Sequence, residues 1–228
     1  MRPLWIGPAL TLVLVGCAQS PAPTASPASS SSSASSQTVR ANAINPANIR
    51  RVGRELPPGY EVSNVPRAAS PLAIWGLGVN SAANPPQCMA LADPAAGRDQ
   101  PAQGVSGSGS GGIVDAVVVA VPTGLRLEHN VMTACAQWEL TAGRTIVSVG
   151  LADAPRIDGA ETVGMVADIK AAVEAGSEID SRAYTFVAYL GDYYAFTTLT
   201  TDPGSMLPAL SPQFAADLLV KTVSTLRG

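Results

Sequence analysis

Three cysteines, one histidine and a scatter of carboxylates are the residues of this chain able to do chemistry, and their settings assign them different work. Cys17 follows Leu14-Val15-Gly16, branched apolar residues and a small one directly before a thiol. Upstream lie Arg2 and an uncharged run from Leu4 to Val15. That run is about a dozen residues long, short of the ~20 that span a bilayer as a helix. A positive start, a short apolar core and small residues after it describe a signal peptide. The box before Cys17 narrows this to a lipoprotein signal. Its thiol accepts a diacylglycerol thioether, and the small Gly16 lets a membrane peptidase reach the bond. Two or three acyl chains, at ~0.8 kcal/mol per buried CH₂, make a stable anchor where one chain does not. The alternative is a plain secretory signal with a chance cysteine. The expected location is the outer face of the plasma membrane, with residues 1–16 removed and lipid on Cys17.

Cys88 and Cys135 remain. In an oxidising compartment two leftover cysteines pair, here closing a loop of about 47 residues worth ~4 kcal/mol in the chain-entropy model. The rival reading, a metal ligand or catalytic thiol, needs partners. His129 is the only histidine and no Cys-x-x-Cys occurs, so no metal and no cofactor is expected. A Ser-His-Asp triad would have to use His129, in Leu127-Glu128-His129-Asn130, yet no serine sits in Gly-x-Ser-x-Gly. His129 reads as an exposed surface residue. Glu55, Glu61, Asp93, Asp115, Glu128, Glu139, Asp153 and Asp158 are scattered, and a glycosidase pair among them would meet in space rather than in sequence. Asp115 interrupts an otherwise apolar strand. It reads as a strand-end carboxylate near a sheet edge, with a ligand-contacting acid as the sharper alternative. No catalytic residue is assigned.

The elements around these residues describe one domain. From Ala18 to about Thr38 the chain is Ala, Ser, Pro and Thr, too polar and too poor in large apolar groups to offset its ordering entropy. Residues 17–40 are therefore a stalk, and 41–228 a single folded unit large enough for a full core. Arg40, Arg50, Arg51 and Arg54 belong to the solvated face of a short helix over 46–55, or touch anionic headgroups. The whole chain carries 14 basic and 17 acidic residues, a balance that argues against a nucleic-acid partner.

Tyr60-Glu61-Val62 is the expected first strand. Ser70-Pro71-Leu72 starts a short capped helix, and Pro85-Pro86-Gln87-Cys88-Met89 another with Cys88 on its buried side. Residues 93–112, rich in Asp, Pro, Gly and Ser, read as a flexible surface loop. A phosphate loop would follow its strand, whereas these glycines precede one. Val117 to Val121 is continuously apolar, so the strand over 113–121 is central and covered on both faces. A helical stretch near 127–133 brings Cys135 towards Cys88. Strands over 138–140 and 145–151 flank the hairpin signal Ala142-Gly143-Arg144. Asp158 with Glu161 resembles a capping box, and Val163, Val166, Ile169 and Val173 recur at helical spacing, so a helix ending at Gly176 is expected. Strands over 184–190 and 193–200 are joined by Gly191-Asp192, a tight hairpin turn. In the second of them Tyr193 and Tyr194 point to opposite faces, leaving one for the core. Ser211-Pro212 opens an amphipathic helix with Phe214, Leu218, Leu219, Val223 and Leu226 on its apolar side. The sum is an α+β domain: a mostly antiparallel sheet, packed helices including one at the C-terminus, and one disulfide.

Leu56-Pro57-Pro58-Gly59-Tyr60-Glu61-Val62, Ala73-Ile74-Trp75-Gly76, Pro85-Pro86-Gln87-Cys88, Ile157-Asp158-Gly159-Ala160, Ala188-Tyr189-Leu190-Gly191-Asp192-Tyr193 and Leu219-Val220-Lys221-Thr222-Val223 resemble a mycobacterial lipoprotein family of unknown function over nearly the whole chain. More loosely, Cys135-Ala136-Gln137-Trp138 and the closing helix are similar to the extracellular sensor domain of PknH-type serine/threonine kinases. That domain has two disulfides where this chain can form one. The resemblance implies binding of a small molecule or envelope partner rather than catalysis. An envelope hydrolase and a lipid carrier are the alternatives. The expectation is a non-enzymatic, membrane-anchored, ligand-binding or sensor-like module whose ligand residues the sequence does not name.

Overall fold

A computed structural model of the chain describes residues 43–228 apart from 66–68, 79, 97, 99, 122–124, 174–175 and 203. The signal peptide, Cys17, the stalk and Arg40 therefore lie outside the described residues.

Among the described residues nine strands form one antiparallel sheet: β1 (Glu61–Asn64), β2 (Ala82–Asn84), β3 (Ala102–Gly109), β4 (Gly112–Ala120), β5 (Gln137–Ala142), β6 (Thr145–Ala152), β7 (Glu161–Ala172), β8 (Glu178–Tyr189) and β9 (Tyr193–Thr201). Their spatial order is β1-β3-β4-β9-β8-β7-β6-β5-β2. Strands β5 to β9 form a meander of successive hairpins, and β9 closes back onto β4. The shortest strands, β1 and β2, occupy the two edges, which limits the unpaired backbone offered to other chains.

Each face of the sheet has its own core, because side chains alternate along every strand. On β4, Val114, Ala116 and Val118 face one side while Val117 and Val119 face the other, as expected for a central strand. The first side is covered by the C-terminal helix, through Leu218, Leu219, Val223 and Leu226, and by a 3₁₀ helix over Pro46–Glu55, through Ile49 and Val52. Asn45 caps that 3₁₀ helix and its N–H donates to the Leu226 carbonyl, so the chain begins its fold clamped to its own last turn. Arg50, Arg51 and Arg54 are solvent-exposed, which matches the solvated-face reading.

Three short helices cover the second face: α1 (Pro71–Ile74), α2 (Met89–Ala92) and α3 (His129–Ala134); the C-terminal helix is α4 (Pro212–Arg227). Ser70 caps α1 by accepting from the Ala73 N–H. A 3₁₀ turn over Pro86–Cys88 carries Cys88 into the core, where it is bonded to Cys135 with the Cα atoms 5.6 Å apart. Tyr194 is fully buried on this face, with its hydroxyl donating to the Ala69 carbonyl, and Tyr193 is half-exposed on the other.

Three sequence expectations give way to the structure. Within the segment expected to be a helix over 158–176, Glu161–Ala172 form strand β7, paired with β6 and β8. Val163, Met165, Ala167 and Ile169 alternate into the core, whereas a helical stripe would have buried Val173, which is exposed. Residues 102–109, part of the stretch over 93–112 expected to be a flexible loop, form β3 between β1 and β4. Its glycines serve close packing: a Cβ on Gly107 would sit 2.5 Å from Leu56 Cδ1, and one on Gly109 would sit 2.4 Å from the Tyr60 ring. An aromatic side chain laid over strand glycines restores the apolar contact that they lack. Asp115 is neither at a strand end nor at a sheet edge. It lies within β4, flanked in register by Ser106 on β3 and Thr198 on β9, and it is buried.

Candidate functional site

Strand β4 lies mid-sheet and β5 near the far edge, so the chain between them must cross the second face. This crossover carries α3 and Cys135. It is held at one end of the sheet by three hydrogen bonds that its backbone donates: Val121 N–H to the Asp192 carbonyl (2.6 Å), Leu125 N–H to the Gly191 carbonyl (3.3 Å), and Leu127 N–H to the Glu161 side-chain Oε2 (3.1 Å). Glu161 opens β7, and Gly191-Asp192 form the β8–β9 turn. The crossover thus spans two hairpin tips and leaves a groove beneath and beside it.

The groove has two parts. The larger, about 990 Å³, is lined by Arg126, Glu128, Gly159, Glu161, Gly191 and Asp192 among others. The smaller, about 350 Å³, is lined by Ala90, Leu91, Pro94, Leu127 and Val131 among others. Leu125, Arg126, Glu128 and Tyr189 line both, so the two adjoin. The disulfide ties the 3₁₀ turn before α2 to the end of α3, the two pieces that wall the smaller part.

Tyr189 is the residue common to both parts that rises from the sheet itself. It is only 6 % exposed, although it lines both parts of the groove. Burial pushes its phenol well above the ordinary range, helped by the nearby Glu161 charge. It is therefore a neutral hydroxyl at any physiological pH, able to donate or accept.

Elsewhere on the same face a polar chain is closed within the protein. Trp75 Nε1 donates to Thr185 Oγ1 at 3.0 Å, and Thr185 shares a 3.0 Å bond with Thr198. Asp115 continues the row next to Thr198. Burial raises the Asp115 carboxyl above its ordinary range, and a hydrogen bond from Ser106 opposes this only in part. The sign for stability follows. The unfolded carboxyl ionises near 3.9; as pH rises above that the folded state is increasingly penalised, and the penalty is complete once its own raised pKa is passed. Asp115→Asn is accordingly expected to raise unfolding free energy at pH 7, with the advantage vanishing near pH 3. Denaturant titrations at the two pH values measure this, and equal effects at both would refute it.

The other sequence candidates are dispersed. His129 is exposed at the start of α3. Glu55 pairs with Lys221 on α4 at 2.9 Å, Glu61 and Glu139 are exposed on their strands, and Asp93 ends α2. Only Glu128 of the candidate carboxylates reaches the groove. Glu161 and Asp192, which the sequence offered as a cap and a turn residue, join it there. Nothing local marks them, because the groove exists only where the crossover meets two hairpins. Among the described residues no group of His, Cys, Asp or Glu is placed to hold a metal ion, and no helix is long and apolar enough to cross a membrane.

Fold and groove together define a one-sheet antiparallel α+β domain with a disulfide-walled groove at one sheet end. Residues 45–227 match the model of a domain of unknown function, DUF5642, and the chain belongs to that family. The crystal structure of an uncharacterised Mycobacterium smegmatis protein, the Rv0999 ortholog, is similar with a TM-score of 0.60 at 18 % identity, covering 81 % of this chain and 98 % of that one. This likeness speaks for the fold. Among curated proteins, none matches the chain.

Proposed function

We propose that this protein is a non-enzymatic ligand-binding module of the cell envelope, held at the outer face of the plasma membrane by lipid on Cys17, with the groove around Tyr189 as its binding site. The observation that carries the reading is the groove itself, whose polar and apolar parts share Tyr189, a tyrosine of the sheet, as a lining residue. Concave sites that combine apolar walls with a few convergent polar groups are where small molecules bind. The signal before Cys17 supports the location, and the resemblance to kinase sensor domains supports binding over catalysis.

Native mass spectrometry of the protein purified from its own envelope is expected to show a bound species. Tyr189→Phe, which keeps the ring and removes the hydroxyl, is expected to weaken affinity roughly two- to thirteen-fold and to lower occupancy accordingly, the value of one neutral hydrogen bond of about 0.5–1.5 kcal/mol. A protein that carries nothing, or a variant that carries as much as wild type, would sink the reading. A second reading, hydrolysis, draws on Glu128, Glu161 and Asp192 lining one groove. It is the weaker one, because Glu161 already spends an oxygen on the Leu127 amide and so holds the groove wall in place.

A further inference from the structure

The two parts of the groove differ in chemistry, and the difference describes a molecule. The smaller part offers aliphatic walls at Ala90, Leu91, Pro94, Leu127 and Val131 beside Gln87, and Leu125, Arg126, Glu128 and Tyr189 form the border it shares with the larger part. The larger part offers three carboxylates, Glu128, Glu161 and Asp192, against one guanidinium, Arg126. An occupant reaching across both meets hydrocarbon at one end and an excess of acceptors and negative charge at the other. Like charge placed against that end is repelled, whereas hydroxyl or ammonium donors find carboxylate oxygens. Tyr189 stands at the junction, where a chain would meet its head.

We infer that the groove takes a single-chain amphiphile whose head carries hydrogen-bond donors and no negative charge. The inference rests on the groove being the binding site. The apolar chain lies along Leu91 and Val131, between walls that the Cys88–Cys135 bond holds together. The head lies between Glu128 and Asp192 and bonds the Tyr189 hydroxyl. Anionic lipid heads are selected against by the same carboxylates that hold the preferred one.

The test uses the full-length lipidated protein in nanodiscs and four photoactivatable eight-carbon probes. Their heads are a glucoside, an ammonium, a carboxylate and none. Crosslinks are mapped to peptides by mass spectrometry, which separates groove labelling from partition into the bilayer. The glucoside or the ammonium probe is expected to label the peptides holding Leu91 and Val131 roughly ten-fold more than the carboxylate probe, a ratio within the reach of paired charge effects. Which of the two leads distinguishes a hydroxyl-rich head from an ammonium head. In the Glu128→Gln, Asp192→Asn double variant the ratio is expected to narrow towards one.

Equal or stronger groove labelling by the carboxylate probe overturns the inference and leaves the groove as a binding site. Groove labelling by the headless probe as strong as by the best headed one overturns it in the same way. Labelling spread evenly over the surface by all four probes overturns it as well. The binding reading then stands or falls separately, on the envelope-purified protein and Tyr189→Phe.

Discussion

Replacing both disulfide cysteines, as Cys88→Ala with Cys135→Ala, is expected to lower unfolding free energy by about 4 kcal/mol, the chain-entropy value for a loop of this length. The bond spans 47 residues and joins two pieces of chain that contribute few other contacts to each other. Its loop includes β3, β4 and the whole crossover, so opening it frees a large part of the unfolded ensemble. The midpoint temperature should fall by roughly 8–16 °C, at 2–4 °C per kcal/mol for a domain of this size. Both sulfurs are fully buried, so reductant should act on the folded protein only slowly. The groove should suffer as well, since the bond fixes both walls of its apolar part. Calorimetry of the double variant checks the first effect, and a loss below about 1 kcal/mol would contradict it.

Leu219→Ala should cost about 3 kcal/mol, within the 2–5 kcal/mol seen when a fully buried leucine leaves a cavity. Its neighbour Val220→Ala should change stability by no more than about 0.5 kcal/mol. The two residues are adjacent on α4, but Leu219 is completely buried and Val220 is 40 % exposed. Leu219 packs in the core formed with the 3₁₀ helix over 46–55 and with β4, β8 and β9, whereas Val220 faces water. Urea unfolding of the pair tests the rotational phase of the helix directly. Comparable losses for both variants would mean that α4 sits on the sheet in a different phase.

Much of the fold was legible because local rules sufficed. A continuous apolar run from Val117 to Val121 can only be a strand buried on both faces, and β4 is one. Ser211-Pro212 followed by a 3.6-residue apolar period is a helix start that needs no distant partner, and α4 runs over Pro212–Arg227. Gly191-Asp192 between two β-rich runs is a turn on its own chemistry. Residues 161–172 show where this ends. Val163, Val166, Ile169 and Val173 have helical spacing, yet Val163, Met165, Ala167 and Ile169 have strand spacing, and both patterns are present in the same residues. The choice between them was made by β6 and β8, whose backbone groups pair with β7 along its length.

The glycines of β3 follow the same logic. Alone they read as loop, and they become strand because Leu56 and Tyr60 need the space that their missing Cβ atoms leave. The candidate site was the least legible part, since Glu128, Glu161, Tyr189 and Asp192 come from a crossover, a strand start, a strand end and a turn. Sequence by itself determined the Cys88–Cys135 pairing, the α+β class and the elements whose periodicity is unambiguous. Only the tertiary structure decided β7, β3 and the groove, because hydrogen-bond partners and covering side chains from distant segments set those, and no local pattern encodes them.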